Sequence, residues 1–213
     1  MDDKYFDIEF NFKDILSLSN SPEEPEDFVN EIYFDVFEMT DDEEKILVAK
    51  GKFSLILFSL AMDHGYSFHD LIDATQSISE MAEVIFDLED EYEWEKLERY
   101  FEDKPIFNYN ICFIEKIEVL PLYRGKGLSQ HIVRNIVRRF YSCCGLWVLK
   151  AYPLQHDNSN RDPDDDWYVS MNYGNMEEDF EKSQYKLFNH YQKMGFRNPF
   201  DAQYFIALPE QLC

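Results

Sequence analysis

The chain has 213 residues, 45% hydrophobic and 17% aromatic, enough for one domain with a full core and too few for two ordinary ones. Its 20 basic and 43 acidic residues leave a net charge of −23. Such a surface repels nucleic acid and anionic membranes and attracts cations, polyamines and basic protein segments, so a DNA- or RNA-binding role is disfavoured.

Met1-Asp2-Asp3-Lys4 lacks the basic and apolar regions of a signal peptide, and the longest apolar stretch, around Phe53 to Met62, is too short to span a bilayer. A cytoplasmic protein without a membrane partner is expected. Cys112, Cys143, Cys144 and Cys213 show neither metal-ligand spacing nor disulfide density, which fits reduced thiols.

Lys4 to Phe12 alternates, with Phe6, Ile8, Phe10 and Phe12 on one face and Tyr5, Asp7, Glu9 and Asn11 on the other, and predicts a strand. Ser19 to Asp27, with Pro22 and Pro25, predicts a loop. A second strand is expected near Val29 to Met39, an acidic turn at Asp41 to Glu44, and a third strand from Ile46 to about Leu60, together a meander. The apolar period then becomes helical from Phe68 to Phe86, and a charged helix is expected over Glu91 to Phe101, stopped by Pro105. There follow a strand (Tyr109 to Leu120), a glycine-bearing turn, an amphipathic helix (Leu128 to about Tyr141) and a strand (Gly145 to Tyr152). A loop from Pro153 to about Asn175, a helix ending at Met194-Gly195 and a last strand, Gln203 to Leu208, complete the pattern. With no repeat and no linker, residues 1–213 form one mixed α/β domain with a mostly antiparallel central sheet flanked by helices and a helical insertion between strands 3 and 4. Residues 1–105 and 106–213 are its two halves.

The run Val119-Leu120-Pro121-Leu122-Tyr123-Arg124-Gly125-Lys126-Gly127-Leu128-Ser129 joins an apolar strand to an amphipathic helix. Pro121 cannot donate to the ladder and ends it. Gly125 and Gly127 let backbone amides approach a ligand closely, at a helix start whose N–H groups are unpaired and whose dipole is positive. Arg124 and Lys126 add charge, and the whole suits a pyrophosphate. The spacing fits neither the dinucleotide nor the P-loop fingerprint. Between Glu115 and Lys150 stand seven basic residues (Lys116, Arg124, Lys126, Arg134, Arg138, Arg139, Lys150) against Glu115 and Glu118, a basic island in an acidic chain. Such an island asks for an anion, although Arg138 and Arg139 are equally suited to pairing with surface carboxylates.

Ile114-Glu115-Lys116-Ile117-Glu118-Val119 followed by Tyr123-Arg124-Gly125-Lys126-Gly127-Leu128-Ser129 resembles the acetyl-CoA motif of the GNAT superfamily of N-acetyltransferases, Gln/Arg-x-x-Gly-x-Gly/Ala. It matches at Arg124 and Gly127 and has Ser129 in the last small-residue position. Leu187 to Phe196 resembles the superfamily's helix ending in Tyr-x-x-x-Gly-Phe, with Tyr191 as the tyrosine and Gly195 as a left-handed C-cap. The likeness covers about Tyr109 to Leu208. It implies an acetyl-CoA-binding half (106–213) and an acceptor-side half (1–105).

By that resemblance the amides of Gly125, Lys126, Gly127, Leu128 and Ser129 hold the coenzyme A pyrophosphate. Ile117 and Val119, on a strand splayed by a bulge, hold the pantetheine, and the Val119 amide polarises the thioester carbonyl. Gln184 stands where many members have a cofactor-contacting asparagine, and Tyr191 becomes the acid for the departing thiolate.

An alkylamine acceptor has a pKa of about 10.4, so a base must remove a proton before attack. Glu115 is the first candidate, as in polyamine acetyltransferases, where the stretch before the turn likewise reads Glu-x-x-x-Val; Glu118 is the reserve, placed by alternation on the opposite strand face. Both also fit solvated strand carboxylates. The acidic clusters at Glu23 to Glu44, Asp87 to Asp103 and Asp157 to Glu181 are either solvated faces or a surround for a cationic amine acceptor. Trp94, Trp167, Tyr168 and Tyr173 are candidates for cation–π contacts with such an acceptor. The five histidines have no metal spacing, so no metal is expected. The acceptor itself, whether polyamine, small amine or protein lysine, is left open, as is a homodimer. The competing class is a non-catalytic acidic interaction protein, a degenerate fold of the same kind or a DNA mimic that binds a basic partner.

Overall fold

A computed structural model describes residues 5–12, 24–86, 93–157, 165–200 and 202–212. Among these residues six strands form one sheet in sequential order: β1 (Tyr5–Phe12), β2 (Val29–Met39), β3 (Lys45–Ile56), β4 (Ile111–Val119), β5 (Leu146–Lys150) and β6 (Tyr204–Ala207). All neighbours are antiparallel except β4 and β5. Among the described residues there are eight α-helices: α1 (Phe58–Asp63), α2 (Phe68–Ile72), α3 (Gln76–Ile85), α4 (Glu93–Tyr100), α5 (Leu128–Phe140), α6 (Asp166–Met171), α7 (Phe180–Gln192) and α8 (Pro209–Leu212). The expected mixed α/β arrangement, a mostly antiparallel sheet with helices α1 to α4 inserted between the third and fourth strands, is present. None of these helices is long and apolar enough to cross a membrane.

Two cores lie on opposite sides of the sheet. On one side α5 buries Leu128, Ile132, Val133, Ile136 and Val137 against Ile32, Phe34, Phe53, Cys112 and Ile114. Burial of each such side chain stabilises by roughly 1.5–3 kcal/mol. Of the apolar face of β1, Ile8 and Phe10 pack against the same core, the Phe10 ring edge-on to Phe140 at 5.5 Å, while Phe6 and Phe12 are exposed. On the other side α1 to α4 cover Ile56, Ile111, Phe113, Leu146 and Val148.

Three expectations need correction. The third strand ends at Ile56 rather than near Leu60, because the apolar run continues as helix α1. The single helix expected over Phe68 to Phe86 is two: Ser67 caps α2 through a capping box and Thr75 caps α3 by accepting from the Ile78 amide, so the chain breaks between them. The loop expected from Pro153 to Asn175 contains α6, capped by Asp165. The first part of the Ser19–Asp27 loop and of the charged helix, and the loop's residues 158–164, lie outside the described residues.

Candidate functional site

Strands β4 and β5 pair only from Ile111↔Leu146 to Ile114↔Leu149. Beyond that β4 runs on to Val119 against β3 while β5 ends at Lys150, so the sheet opens into a wedge. A cleft of about 800 Å³ occupies it, bounded by the glycine turn, the first turn of α5, α7 and the segment from Met171 to Glu177. The Leu120 amide bonds to Val48 O at 3.0 Å, toward β3. By strand alternation the N–H and C=O of Ile117 and Val119 therefore point the other way, into the wedge.

The turn itself is open. Gly125 has φ +70° and Gly127 φ +82°, and a Cβ built on either meets nothing within 4 Å. Gly127 is the N-cap of α5 and offers no side-chain capping bond, so the first amides of the helix are left for another acceptor. Gly125, Gly127, Leu128 and Ser129 line the cleft; Lys126 does not, its ammonium lying 5.8 Å from the centre of the Tyr123 ring.

Arg124 is turned inward. Its Nε donates to Val119 O at 2.8 Å and its Nη2 to Met171 O at 2.7 Å, fastening the turn to the end of α6. Burial lowers its pKa without discharging a guanidinium. The charge expected beside the phosphate amides is thus spent on two carbonyls. The basic island disperses likewise. Only Lys116, Arg124 and Lys150 of its seven members line the cleft, while Arg134, Arg138 and Arg139 are exposed on the outer side of α5.

Glu115 lines the cleft with a side chain 14% exposed. Ser54 Oγ (2.8 Å), Ser77 Oγ (2.9 Å) and Lys52 Nζ (3.3 Å) all bond to it. Burial opposes the charge of Lys52, but Glu31 and Glu115 prevail and hold its pKa above the ordinary value. Glu118 is buried, and accepts from Lys116 Nζ (3.1 Å), Tyr173 OH (2.7 Å) and Trp167 Nε1 (3.3 Å). It does not line the cleft.

The expectation that Glu115 and Glu118 lie on opposite faces is wrong, for a local reason. Lys52 pairs with Lys116 and Phe53 with Ile114, which leaves Glu115 as the extra residue of a β-bulge. The inserted residue shifts the alternation by one. Glu115 contacts Ser54 and Glu118 contacts Lys116 on one and the same face. The bulge is at Glu115 and not between Ile117 and Val119 as expected.

Helix α7 presents Ser183, Lys186, Leu187, His190 and Tyr191 to the cleft, along with Lys193 and Met194 just beyond it. Gln184, the expected cofactor contact, is a step of about 100° round the helix and does not line it. Ser183 takes that side, accepting from Gln155 Nε2 at 2.9 Å. Burial pushes the Tyr191 phenol up to about 12, and its hydroxyl has no hydrogen-bond partner among the described residues. Gly195, at φ +105°, closes the helix; a Cβ there would meet Gln211 O at 2.4 Å.

Sequence reading missed His190, whose Nε2 lies 2.8 Å from Ser129 Oγ. Burial and then the neighbouring Lys193 ammonium lower its pKa. The two residues are 61 positions apart, and only tertiary structure joins them.

Of the aromatics expected at a cationic acceptor, Tyr173 lines the cleft, while Trp167 already has Lys50 Nζ at 5.0 Å from its ring. Trp94 is packed among Phe58, Phe86 and Tyr109, away from the cleft, and the Tyr168 ring lies tilted against that of Tyr173. The sheet face beside the bulge carries Glu31, Glu115 and Glu118 against Lys50, Lys52 and Lys116, so the chain's acidic excess is not concentrated there. Parts of all three acidic clusters lie outside the described residues. Among the described residues no group of three or more His, Cys, Asp or Glu side chains is placed to hold a metal ion.

Comparison with protein-family models, with curated protein sequences and with solved structures finds no match for this chain.

Proposed function

We propose that the chain is an acyl-coenzyme A-dependent N-acetyltransferase of the GNAT kind, transferring an acetyl group from acetyl-CoA to a primary amine. One observation carries the reading. A turn with two left-handed glycines and open space before it starts a helix at the mouth of a wedge between two parallel strands. Unpaired amides and the helix dipole favour a pyrophosphate there. The outward N–H and C=O of Ile117 and the N–H of Val119 offer a peptide-like pantetheine arm a ladder to follow, which would lead its thioester inward.

In this reading the amine nitrogen attacks the thioester carbonyl, the N–C bond forms, the C–S bond breaks, and coenzyme A leaves as thiolate. The Val119 amide stabilises the carbonyl oxygen as it becomes negative. The Tyr191 phenol, at about 12, keeps its proton at neutral pH. A thiol titrates near 8.5, so full proton transfer from Tyr191 runs uphill by roughly 3–4 pK units, and the phenol serves best as a hydrogen-bond donor to the leaving sulfur. Glu115 accepts the amine proton. Three donors already occupy its roughly four acceptor positions, so the proton reaches it through a water molecule. Glu118 has no such role, since it does not line the cleft and is occupied in anchoring Trp167 and Tyr173.

The test is release of free thiol from acetyl-CoA with a panel of amines: polyamines, small monoamines and lysine peptides. Amine-dependent thiol release supports the reading. Failure to bind acetyl-CoA, combined with tight capture of a basic protein, supports the acidic interaction protein that the charge of −23 also suggests.

A further inference from the structure

The cleft is lined by more cations than a pyrophosphate at the glycine turn would use, and almost all of them are already engaged. Lys116 pairs with Glu118 at 3.1 Å, Lys150 with Glu80 at 3.3 Å and Lys186 with Glu177 at 3.0 Å. Arg124 is held by two carbonyls. The cleft's two acidic side chains are occupied as well, Glu115 by Lys52 and two serines and Glu177 by Lys186. Lys193 differs: among the described residues it has neither a carboxylate nor a carbonyl partner for its ammonium. In a chain with 43 acidic residues, a cleft cation with no carboxylate partner among the described residues stands out.

Lys193 follows His190 by three positions, within reach along the helix, and lies close enough to perturb it. His190 in turn reaches across the cleft to Ser129 Oγ at 2.8 Å, in the first turn of α5. An imidazole Nε2–H donating to Ser129 leaves the serine hydroxyl proton free to point at a ligand. The imidazole and the ammonium thus stand across the cleft from the amide turn, with the Ser129 hydroxyl of α5 facing them.

We propose that Lys193, His190 and Ser129 form a second phosphate site, distinct from the glycine turn, which takes a terminal phosphate monoester on the ligand whose pyrophosphate the turn holds. The proposal rests on the reading that the cleft binds an acyl-coenzyme A, and it makes the corner the element that selects coenzyme A over its 3′-dephospho form. A charge-assisted contact from ammonium to phosphate contributes tenfold or more in affinity, about the scale expected of one such pair.

Calorimetric titration of the full-length protein with coenzyme A and with 3′-dephospho-coenzyme A tests it, in wild type, Lys193→Gln and His190→Gln. Lys193 is exposed, so its replacement leaves the fold intact, which a thermal melt verifies. The expected result is a preference for coenzyme A of about tenfold or more in wild type. The preference shrinks toward unity in Lys193→Gln, with the affinity for the dephospho form unchanged. Equal binding of both ligands by wild type overturns the second site and leaves the acetyltransferase reading standing. Equal weakening of both ligands in Lys193→Gln also overturns it, since the corner would then grip the pyrophosphate itself. Binding of neither ligand overturns the second site together with the reading beneath it.

Discussion

Replacing Gly127 with alanine separates what the turn does for folding from what it does for a ligand. Gly127 has φ +82°, and a methyl there meets no protein atom within 4 Å, so the cost to the fold is conformational and not steric. An L-residue held in the left-handed region loses about 1–2 kcal/mol. For a domain of this size that lowers the melting temperature by roughly 2–8 °C. A saturating ligand works in the opposite direction: at about 100 times its dissociation constant it adds about 2.7 kcal/mol, a rise of roughly 5–10 °C. In the proposed reading the new methyl occupies space that the phosphate needs, so the variant loses most of that increment. Gly145→Ala provides the control, because its Cβ would meet Asn108 O at 2.1 Å, far from the turn. That variant is destabilised more, yet its ligand-induced increment survives. Thermal melts of the three proteins with and without acetyl-CoA decide the matter. Retention of the full increment by Gly127→Ala refutes the assignment of the turn.

Three further outcomes follow from the proposed reading. Tyr191→Phe removes a cleft hydroxyl without altering packing, so acetyl transfer slows by about 10²-fold or more while acetyl-CoA affinity, read by calorimetry, stays the same. Glu118→Ala strands the Trp167 and Tyr173 donors at about 1–3 kcal/mol apiece and speeds hydrogen exchange across α6, whereas Glu118→Gln keeps transfer; a Glu118→Gln protein that folds normally but transfers nothing contradicts the anchoring role. Lys52 has a folded pKa above its unfolded one, so its stabilisation is fully present below about 10.4 and fades as pH rises through the folded value. The stability gap between wild type and Lys52→Met, from urea melts, therefore narrows in alkali, and a gap that widens contradicts the pairing with Glu31 and Glu115.

Much of the fold is legible in local pattern. Alternation marks β1 and β2, and the apolar spacing of Leu128, Ile132, Val133, Ile136 and Val137 marks α5. What pattern leaves ambiguous is where one period yields to another: Phe53 to Met62 is apolar throughout, and nothing local says that strand gives way to helix at Leu57. The glycine turn was readable because its chemistry is contiguous. The rest of the site was not, because it is assembled across distance. No residue near Ile114 announces a bulge, which only the pairing with Lys52 and Phe53 reveals, and the bulge alone puts Glu115 and Glu118 on one face. The tie from Arg124 to Met171 and the contact of Ser129 with His190 likewise join segments that share no local signal.

The central claim is that the N–H groups from Gly125 to Ser129 hold a pyrophosphate at the mouth of the wedge. A crystal structure with coenzyme A tests it most directly. The account places phosphate oxygens within hydrogen-bond distance, about 2.7–3.2 Å, of those amides and the sulfur beside the Tyr191 hydroxyl. Coenzyme A bound elsewhere on the protein, or a cleft left empty at millimolar ligand, contradicts it.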